Sequence, residues 1–507
     1  MKRTLEALSV LLVSALFFSL FQPWGAFRDP DAFYHAKMSS LLLQHGVVTH
    51  FPWLDLTTLG QQFVDQHFLY HIVDAPFVFF FGMLPGHQVG SVFFAACFIT
   101  TFFLILKWLR VSHAALWTVL LGVLPPMIAR LNLGKASPLA LLFFFLGLVA
   151  VMKRSWKALL VVMPLYVMTH GGWPLLFIIL AAYFLGEVLY ETMVREHPWK
   201  KLGTLFDTRT IKTILALFAG TLLGILIHPY RAGLLSFLQT QIFSIGVQTP
   251  FDQVILGIEW LPYPLSSFLF DFSLLWMMAL VLLFGFLFAR KAVVEDKVMR
   301  WGIALGLCAA VLFALTLKSR RFGEYMAPAF VLWFAVLGGV IDWRKMLQEF
   351  RSTEKYLQGL LMVFLVIAFG RGLWVTHDFF HMGERAFNRF VPALEVADQY
   401  LAPGDRLFHS NWAQFPELFA ARDEYKYVAG LDPVFLLKAH PDLSYDYTAL
   451  MTGEETVDPY DVIRNKFDSS VALYEQETDT KMIRRLKRDS RFHLLYEDDV
   501  AALFKLE

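Results

Sequence analysis

Long apolar runs recur along the chain from its beginning to about residue 375. Each run of roughly 18 residues is close to the length that a helix needs to cross ~30 Å of hydrocarbon. On hydropathy, the pattern predicts about eleven spanning helices. We expect them near residues 5–24, 89–106, 113–130, 137–152, 157–171, 172–190, 211–228, 272–290, 299–317, 324–341 and 357–375. The sequence therefore predicts an α-helical polytopic membrane protein.

Basic residues between the apolar runs indicate the orientation of the predicted helices. On alternate sides of the runs lie basic groups at residues 2–3, 107–110, 153–157, 195–212, 290–300 and 344–355. Positive charge is retained on the cytoplasmic side of membrane proteins, so these groups predict a cytoplasmic N-terminus. The scheme requires that the apolar stretch 68–84, which contains His71, Asp74 and Pro76, does not span. We expect a re-entrant or interfacial segment there.

The loops on the opposite face are long, and the C-terminal region follows on that face. The loops comprise residues 25–88, 130–137, 169–173, 231–271 and 318–325. From about residue 376 the chain is far more polar, and the stretches DRLFHS, EYKYVAG and SSVALYEQ are typical of short strands between helices. We expect a membrane domain over residues 1–375 and a soluble α/β domain outside the cytoplasm over residues 376–507.

The composition agrees with a membrane protein and argues against other classes. The chain is 57% hydrophobic and 17% charged, whereas ordinary soluble proteins carry about 25% charged residues. Its net charge of +1 gives no field that would attract nucleic acid. Cys97 and Cys308 lie in apolar runs, so we expect packing residues rather than a disulfide or zinc site. The first run is too long for a signal peptide and predicts an uncleaved anchor.

The stretch FRDPDAFYHAKM, directly after the first apolar run, is dense in ionisable residues. It places Asp29 and Asp31 at the predicted outer interface. Carboxylates in such a position hold a divalent metal through hard oxygen ligands, or act as a general base. The alternative is a solvated loop in which a carboxylate caps the following helix. Asp29 is the first candidate for the base or metal ligand, and Asp31 is the second.

The same loop contains FVDQHFLYH, with Asp65, His67 and His71. His67 and His71 are four residues apart and would share one face of a helix. A histidine pair at this spacing binds metals, and it also serves as a source of interfacial hydrogen bonds. The sequence leaves both alternatives open.

Cations collect at an outer helix end in the stretch KSRRFGEY. Basic residues on the outer face are exceptions to the usual retention of positive charge in the cytoplasm, and this stretch has three of them, Lys318, Arg320 and Arg321. Arg130 and Lys135 are predicted to lie on the same face. Arginine binds phosphate oxygens through paired hydrogen bonds, so a lipid phosphate is an expected ligand. The alternative is that these side chains extend to lipid headgroups.

A lone acid, Glu259, stands among apolar residues in the stretch LGIEWLPY. A single carboxylate in such surroundings is typical of a helix cap or an ion-pair partner. It gains a catalytic meaning only if its loop, residues 231–271, folds back over Asp29.

Several of these stretches resemble motifs of oligosaccharyltransferase catalytic subunits, which belong to the GT-C membrane glycosyltransferases. DPDAFYHAKM resembles their first acidic motif, D-P-x-x-x-Y-x-x-R, and THGGWPLL resembles their W-G-G-Y segment. GIEWLPY is similar to the acidic stretch of their mobile loop, and KSRRFGEYM to the helix start that contacts the donor pyrophosphate. PGDRLFHSNWAQF stands where they have the acceptor motif W-W-D-Y-G. The resemblance covers nearly the whole chain.

The resemblance implies an enzyme that moves a sugar or glycan from a polyprenyl-phosphate or pyrophosphate donor to a glycan, lipid or protein acceptor. The resemblance implies catalysis or metal binding by Asp29, with Asp31 as the second candidate, metal binding by Glu259, a donor phosphate contact by Arg320 or Arg321, and acceptor binding at Asn411 and Trp412. The residues themselves add Lys135 to the cations expected to bind donor phosphate, and Asp65 and His67 to the candidate metal ligands. The metal would be Mg²⁺ or Mn²⁺. The enzyme would lie in the cytoplasmic (inner) membrane among its lipids, with the C-terminal domain in the periplasm or outside the cell.

The chain departs from the family pattern at two places. The family carries a second acidic pair after the third helix, whereas this chain reads RLNLGKASP there and has no acid. Either Asp65 or His67 completes the metal site, or the Lys135 ammonium replaces a metal charge. In the acceptor motif only Trp412 is retained.

Two other classes of function compete with an enzyme. A transporter or flippase of a lipid-linked substrate predicts ionisable residues along a path at mid-membrane, and internal inverted repeats. The sequence shows neither, because its ionisable residues cluster at one face. A non-catalytic scaffold would not explain why Asp29, Asp31 and the arginines of KSRRFGEY lie on the outer face. We therefore expect a membrane glycosyltransferase.

Overall fold

The computed structural model describes residues 2–193, 207–248, 250, 253–288, 296–341, 354–381, 383–455 and 457–507. Parts of three predicted basic groups, at residues 195–206, 290–295 and 344–353, lie outside these residues. The described part of the chain is mostly helical, as the sequence predicts. It divides into one unit of Met1–Gln22, Ser91–Ile227 and Glu259–Gly383, and a second of Pro23–Gly90, His228–Ile258 and Glu384–Glu507.

The first unit is built of helices. Its helices are Lys2–Ser19, Met83–Trp108 (whose first turns belong to the second unit), Ala114–Gly122, Pro125–Asn132, Ser137–Met152, Trp156–Thr169, Leu175–Met193, Thr208–Ile227, Leu265–Asp271, Ser273–Phe288, Asp296–Lys318, Gly323–Gly338 and Glu354–His381. Close helix packing depends on a small residue at Gly186, where an added Cβ would lie 2.5 Å from the Ala304 Cα. Such small contacts are typical of membrane helix pairs.

Among the described residues, some of the predicted spans coincide with helices that are long and apolar enough to cross a membrane. Among the described residues, four helices are long and apolar enough to cross by themselves, or up to six if each of two bent pairs counts as one span. Shorter apolar helices, such as Ser137–Met152 and Trp156–Thr169, coincide with other predicted spans. The membrane character follows from these helices, and the predicted number of about eleven spans stays a prediction.

Prolines account for one of the two bends. The predicted span 113–130 consists of the helices Ala114–Gly122 and Pro125–Asn132, which are bent by 70°. Pro125 and Pro126 follow one another at the break. A proline ring clashes with the preceding turn and removes a backbone donor, so the helix ends before the pair and restarts with proline in its first turn. The bend sets the direction of the short helix that carries Arg130.

The second unit combines short helices with two sheets. Its helices are Asp31–His45, Thr58–Gln61, Phe68–Phe81, Arg231–Gln239, Val391–Ala397, Phe415–Ala421, Val434–Ala439, Pro441–Thr452 and Gln476–Leu486. Its strands are β1 (Ala26–Phe27), β2 (Arg385–Ala386), β3 (Arg406–His409), β4 (Lys426–Tyr427), β5 (Val471–Glu475), β6 (Phe492–Glu497) and β7 (Ala501–Leu506). The helix Phe68–Phe81 has 14 residues and contains Pro76, and its expected re-entrant or interfacial placement stays a prediction.

Five strands form the sheet of the C-terminal region in the order β4-β3-β5-β7-β6. β3 pairs in parallel with β4 and β5, and β7 pairs antiparallel with β5 and β6. Every residue of β5 is buried, as expected for a central strand covered on both faces. The predicted strands in DRLFHS, EYKYVAG and SSVALYEQ coincide with β3, β4 and β5, so the predicted C-terminal sheet is confirmed.

His409, the last residue of β3, is fully buried and uncharged. Its Nδ1 donates to the Asn411 carbonyl oxygen at 2.9 Å, and its Nε2 accepts from the Val428 backbone N at 3.3 Å. Burial lowers the pKa of His409 from the ordinary 6.5 to about 4, although the hydrogen bond to Asn411 opposes this effect. A second proton on the ring would remove the acceptor that Val428 uses.

We expect the free energy of unfolding of the second unit to fall as the pH falls from 6.5 to about 4. In this window the unfolded chain binds a proton at His409 and the folded unit does not, so this contribution is complete above pH 6.5. The two pKa values differ by about 2.5, which corresponds to about 3 kcal/mol. Thermal unfolding of the full-length protein in detergent at pH 7 and pH 4 measures the effect. His409→Gln should lose less stability than the wild type, and equal losses would contradict the assignment.

Candidate functional site

Cationic side chains of the first unit surround two carboxylates. We call Arg130, Lys135, Arg321, Glu259 and Glu324 the charged cluster. The Arg130 Nε donates to Glu324 Oε2 at 2.8 Å, and its Nη1 donates to Glu259 Oε2 at 3.1 Å. The Arg321 Nη1 lies 3.6 Å from the other Glu259 oxygen, Oε1. The folded chain thus joins residues as far as 194 positions apart in sequence.

Glu259 is the electrostatic centre of the charged cluster. Burial would by itself raise the pKa of its carboxyl group. The positive charges of Lys135, Arg321 and Arg130 outweigh burial and hold that pKa well below its usual range. Glu259 is therefore an ionised ion-pair partner, which is one of the two alternatives drawn from its sequence surroundings.

The adjacent arginines at the start of Gly323–Gly338 have different surroundings. The Arg321 guanidinium lies 4.7 Å from the centroid of the Trp260 ring, on the side of the charged cluster. The Arg320 Nε instead donates to the Pro262 carbonyl oxygen at 3.2 Å. Of the two arginines that the sequence could not distinguish, Arg321 is the one that joins the charged cluster.

The charged cluster contains three cations and two carboxylates, which leaves one net positive charge. Glu324 is almost fully buried, and Arg130 is committed to both acids. Arg321 and Lys135 are only half-buried. A guanidinium presents paired N–H donors that match the oxygens of a phosphate group. The arrangement can therefore attract an oxyanion and stabilise negative charge that develops on it.

The turn THGGW packs beside the residue that follows Glu324. The Gly172 backbone N donates to the His170 Nδ1 at 2.8 Å. A Cβ added at Gly172 would lie 2.7 Å from the Tyr325 hydroxyl oxygen, so the turn has no room for a side chain there. This approach explains why glycine is needed at that point of the motif.

In the second unit, Asp29 and Asp31 lie at the start of the helix Asp31–His45. Pro30 is the N-cap residue, and the Asp29 Oδ1 accepts a hydrogen bond from the Asp31 backbone N at 3.0 Å. Both carboxylates are half-buried. Negative charge is favourable at a helix start, because the backbone N–H groups point toward it. Asp29 therefore supports the start of the helix, as one of the two sequence-based alternatives predicts. It is also partly exposed, as a general base must be.

Buried aspartates and histidines of the second unit form hydrogen-bonded pairs. The His71 Nδ1 lies 2.7 Å from Asp65 Oδ2, and its Nε2 lies 2.8 Å from the His35 Nδ1. The His87 Nδ1 lies 2.8 Å from Asp74 Oδ2. Burial would raise the pKa of Asp65, but the charge of His71 and its hydrogen bond outweigh burial and lower that pKa. The residues of FVDQHFLYH thus form hydrogen bonds in the structure, which is one of the two alternatives that the sequence left open for them.

These surroundings bear on the predicted divalent metal. Among the described residues, no group of three or more histidine, cysteine, aspartate or glutamate side chains is arranged to hold a metal ion. Both Asp65 oxygens accept hydrogen bonds, Oδ1 from the His67 backbone N at 2.9 Å. Glu259 faces three cations, which would repel a divalent ion. The donor set around Glu259 does not fit Mg²⁺ or Mn²⁺, and metal binding at Asp29 stays a prediction.

The predicted acceptor-binding residues have structural partners. The Asn411 Oδ1 accepts from the Ala413 backbone N at 2.9 Å and forms a capping box with Gln414. The Trp412 Nε1 donates to the Ile255 carbonyl oxygen at 2.9 Å. Binding of an acceptor by Asn411 and Trp412 stays a prediction.

The contacts made by Glu324, His35 and Arg385 were not predicted from the sequence. Glu324 belongs to KSRRFGEY, and an acid buried at the start of an apolar helix calls for a cationic partner. His35 follows Asp31 by one helical turn, which could have indicated a shared face. For Arg385 the local sequence carries no signal, because its neighbours in space come from distant segments.

Comparisons with known proteins give the fold. No model of a known protein family matches the chain, and no curated protein matches it in sequence. The chain is similar to the crystal structure of ArnT from Cupriavidus metallidurans in the apo state, with a TM-score of 0.51 and 12% identity. The similarity covers 99% of this chain and 98% of that one. The chain shares the fold of that structure, and the resemblance to oligosaccharyltransferase subunits stays a prediction.

Proposed function

We propose that the protein is a membrane glycosyltransferase of the GT-C type. It transfers a sugar or glycan from a polyprenyl-phosphate or pyrophosphate donor to a glycan, lipid or protein acceptor on the extracytoplasmic face. The observation that carries this proposal is the charged cluster, whose net positive charge and half-buried Arg321 and Lys135 suit the phosphate of a lipid donor. The GT-C fold, over almost the full length of both chains, supports it.

The donor phosphate is the leaving group of the proposed reaction. When the bond between the sugar carbon and the phosphate oxygen breaks, the electron pair stays on phosphate. Arg321 and Lys135 neutralise this developing charge, which is the usual source of stabilisation in phosphate departure. Arg130 keeps Glu259 and Glu324 paired, so these carboxylates do not repel the phosphate. In this proposal the cationic side chains supply the positive charge that stabilises the departing phosphate.

The acceptor must lose a proton as it attacks the sugar. We assign this proton to Asp29, with Asp31 as the second candidate. Asp29 is half-buried at a helix start, and the backbone N of Asp31 orients one of its oxygens. A carboxylate held in this way is a competent general base when the acceptor group lies within hydrogen-bond reach. The acceptor oxygen or nitrogen then forms the new bond to the sugar.

A deletion strain tests the proposed function in the cell. Its envelope glycans, glycolipids and glycoproteins are compared by mass spectrometry with those of the parent strain and of the complemented strain. We expect one glycoconjugate to lose a sugar or glycan, and the polyprenyl-linked donor to accumulate. Accumulation of the donor on the cytoplasmic face would instead support a flippase, and unchanged glycoconjugates would contradict the proposed transfer.

A further inference from the structure

A short ribbon connects the segment of Asp29 to the C-terminal region within the second unit. β1 and β2 pair antiparallel, with Phe27 opposite Arg385. The Phe387 backbone N also donates to the Gly25 carbonyl oxygen at 3.1 Å. Arg385 thus stands across from a residue only two positions before Asp29.

Arg385 is itself anchored by a chain of buried ion pairs. Its Nη1 donates to Glu417, a carboxylate with 3% of its side chain exposed. The Arg389 Nη1 lies 3.6 Å from Glu417, and another Arg389 nitrogen donates to Glu475. The Gln414 Nε2 donates to the same Glu475 at 3.3 Å. Since Glu475 ends β5, the chain links Arg385 to the central strand of the sheet.

The Arg385 guanidinium is also attracted electrostatically to Asp29. Burial would lower the pKa of Arg385. The carboxylates of Glu417, Glu475 and Asp29 outweigh burial and raise that pKa. Asp29 follows Phe27, the strand partner of Arg385, by two positions, so the attraction acts across the end of the ribbon.

We propose that Arg385 is a positioning residue, which holds the Asp29 carboxylate in the orientation needed to take the acceptor proton. The inference rests on the proposed function and names a further residue of that reaction. A two-residue ribbon is too short to fix a loop by itself. The guanidinium, held by Glu417, adds a fixed positive charge that attracts the Asp29 carboxylate. Catalysis is sensitive to this placement, because a displacement of about 1 Å can cost about 10²-fold in rate.

The chain offers a matched control in a second ion pair of the same unit. The Arg406 Nη2 donates to both oxygens of Asp55 at 2.9 Å. The two pairs share one property: each acid keeps another cation when its arginine is removed, since Lys426 lies 3.2 Å from Asp55 and Arg389 lies 3.6 Å from Glu417. Arg406→Ala therefore removes a comparable ion pair without touching the segment of Asp29.

The experiment is a double-mutant cycle on sugar transfer in nanodiscs, with kcat expressed per folded protein. The variants are Arg385→Ala, Arg385→Lys, Arg406→Ala, Asp29→Asn and the combinations of Asp29→Asn with each alanine variant. We expect Arg385→Ala to lower kcat by about 10- to 100-fold and Arg385→Lys to recover part of it. Arg406→Ala should retain kcat close to the wild-type value. Added to Asp29→Asn, Arg385→Ala should cost little more, since residues that act as a unit are not additive.

Each outcome has a separate meaning. If Arg385→Ala adds its full loss to that of Asp29→Asn, or if Arg406→Ala loses as much as Arg385→Ala, the role of Arg385 is structural and the inference is overturned. The proposed function survives both results. A wild-type protein that transfers no sugar overturns the proposed function, and with it the role of Arg385 in that reaction.

Discussion

Asp29→Asn is expected to lower the rate of sugar transfer by at least ~10²-fold, the usual scale for a lost general base. The change keeps the volume of the side chain and removes its charge. The amide oxygen can still accept the hydrogen bond that Asp29 Oδ1 receives from the Asp31 backbone N, so the helix start should persist. Turnover is measured with a polyprenyl-linked donor in nanodiscs, and folding by the thermal unfolding temperature.

A matched control for this charge removal is Asp398→Asn. Asp398 belongs to the same unit and pairs with Arg422 and Tyr425 at the surface. We expect this variant to retain turnover. Full activity of a well-folded Asp29→Asn protein would remove Asp29 from the mechanism. In that case Asp31→Asn becomes the decisive variant, because Asp31 is the second candidate.

Arg321→Ala is expected to weaken donor binding and turnover together, with kcat/KM reduced by about 10²- to 10³-fold. Arg321 supplies a half-buried guanidinium at the charged cluster. Its removal leaves the cluster with no net positive charge, since two cations then face two carboxylates. Arg321→Lys should restore only part of the activity, because an ammonium lacks the planar pair of donors. Initial rates over a range of donor concentrations separate KM from kcat.

The neighbouring arginine provides the comparison for this second prediction. Arg320 donates to the Pro262 carbonyl oxygen and does not join the charged cluster. Arg320→Ala should therefore cost much less than Arg321→Ala. A larger loss of activity in Arg320→Ala than in Arg321→Ala would show that Arg320, and not Arg321, binds the donor. Wild-type kinetics in both variants would show that neither arginine binds the donor.

Local patterns were sufficient for much of the fold. The strands β3, β4 and β5 follow from short apolar stretches bounded by polar residues, and the lengths of the apolar runs indicate helices. The 70° bend after Gly122 was missed although Pro125 and Pro126 signal it. The strands β6 and β7 were also not predicted, because the periodicity of a short apolar run is compatible with either a helix or a strand. The tertiary packing resolves that ambiguity.

The candidate site was predicted only where a motif carried it. Glu259 and Arg321 were named from separate stretches, and the structure joins them through an ion pair. Glu324 and Arg385 were missed because their partners lie far away in sequence: Arg130 pairs with a glutamate 194 positions away, and Arg385 with one 32 positions away. Such pairs depend on how helices and strands pack, which no local pattern encodes.

The alternative in which Lys135 replaces a metal charge gains support from the charged cluster. The family pattern has acids where this chain has RLNLGKASP. In the structure, the positive charge of Lys135 is one of those that keep Glu259 ionised, together with the charges of Arg321 and Arg130. A lysine in a loop where the resemblance would imply acids is consistent with a site that neutralises phosphate by side chains. We therefore expect the protein to remain active in the presence of a strong chelator.

The most direct test of the central claim is transfer by the purified wild-type protein. The protein is placed in nanodiscs with a panel of polyprenyl-phosphate and pyrophosphate donors that carry a radiolabelled sugar, and with envelope extract as the source of acceptor. We predict that label moves from the lipid to an acceptor, and that Asp29→Asn slows this transfer. Label that stays on the polyprenyl lipid with every donor and acceptor fraction would contradict the assignment of a glycosyltransferase.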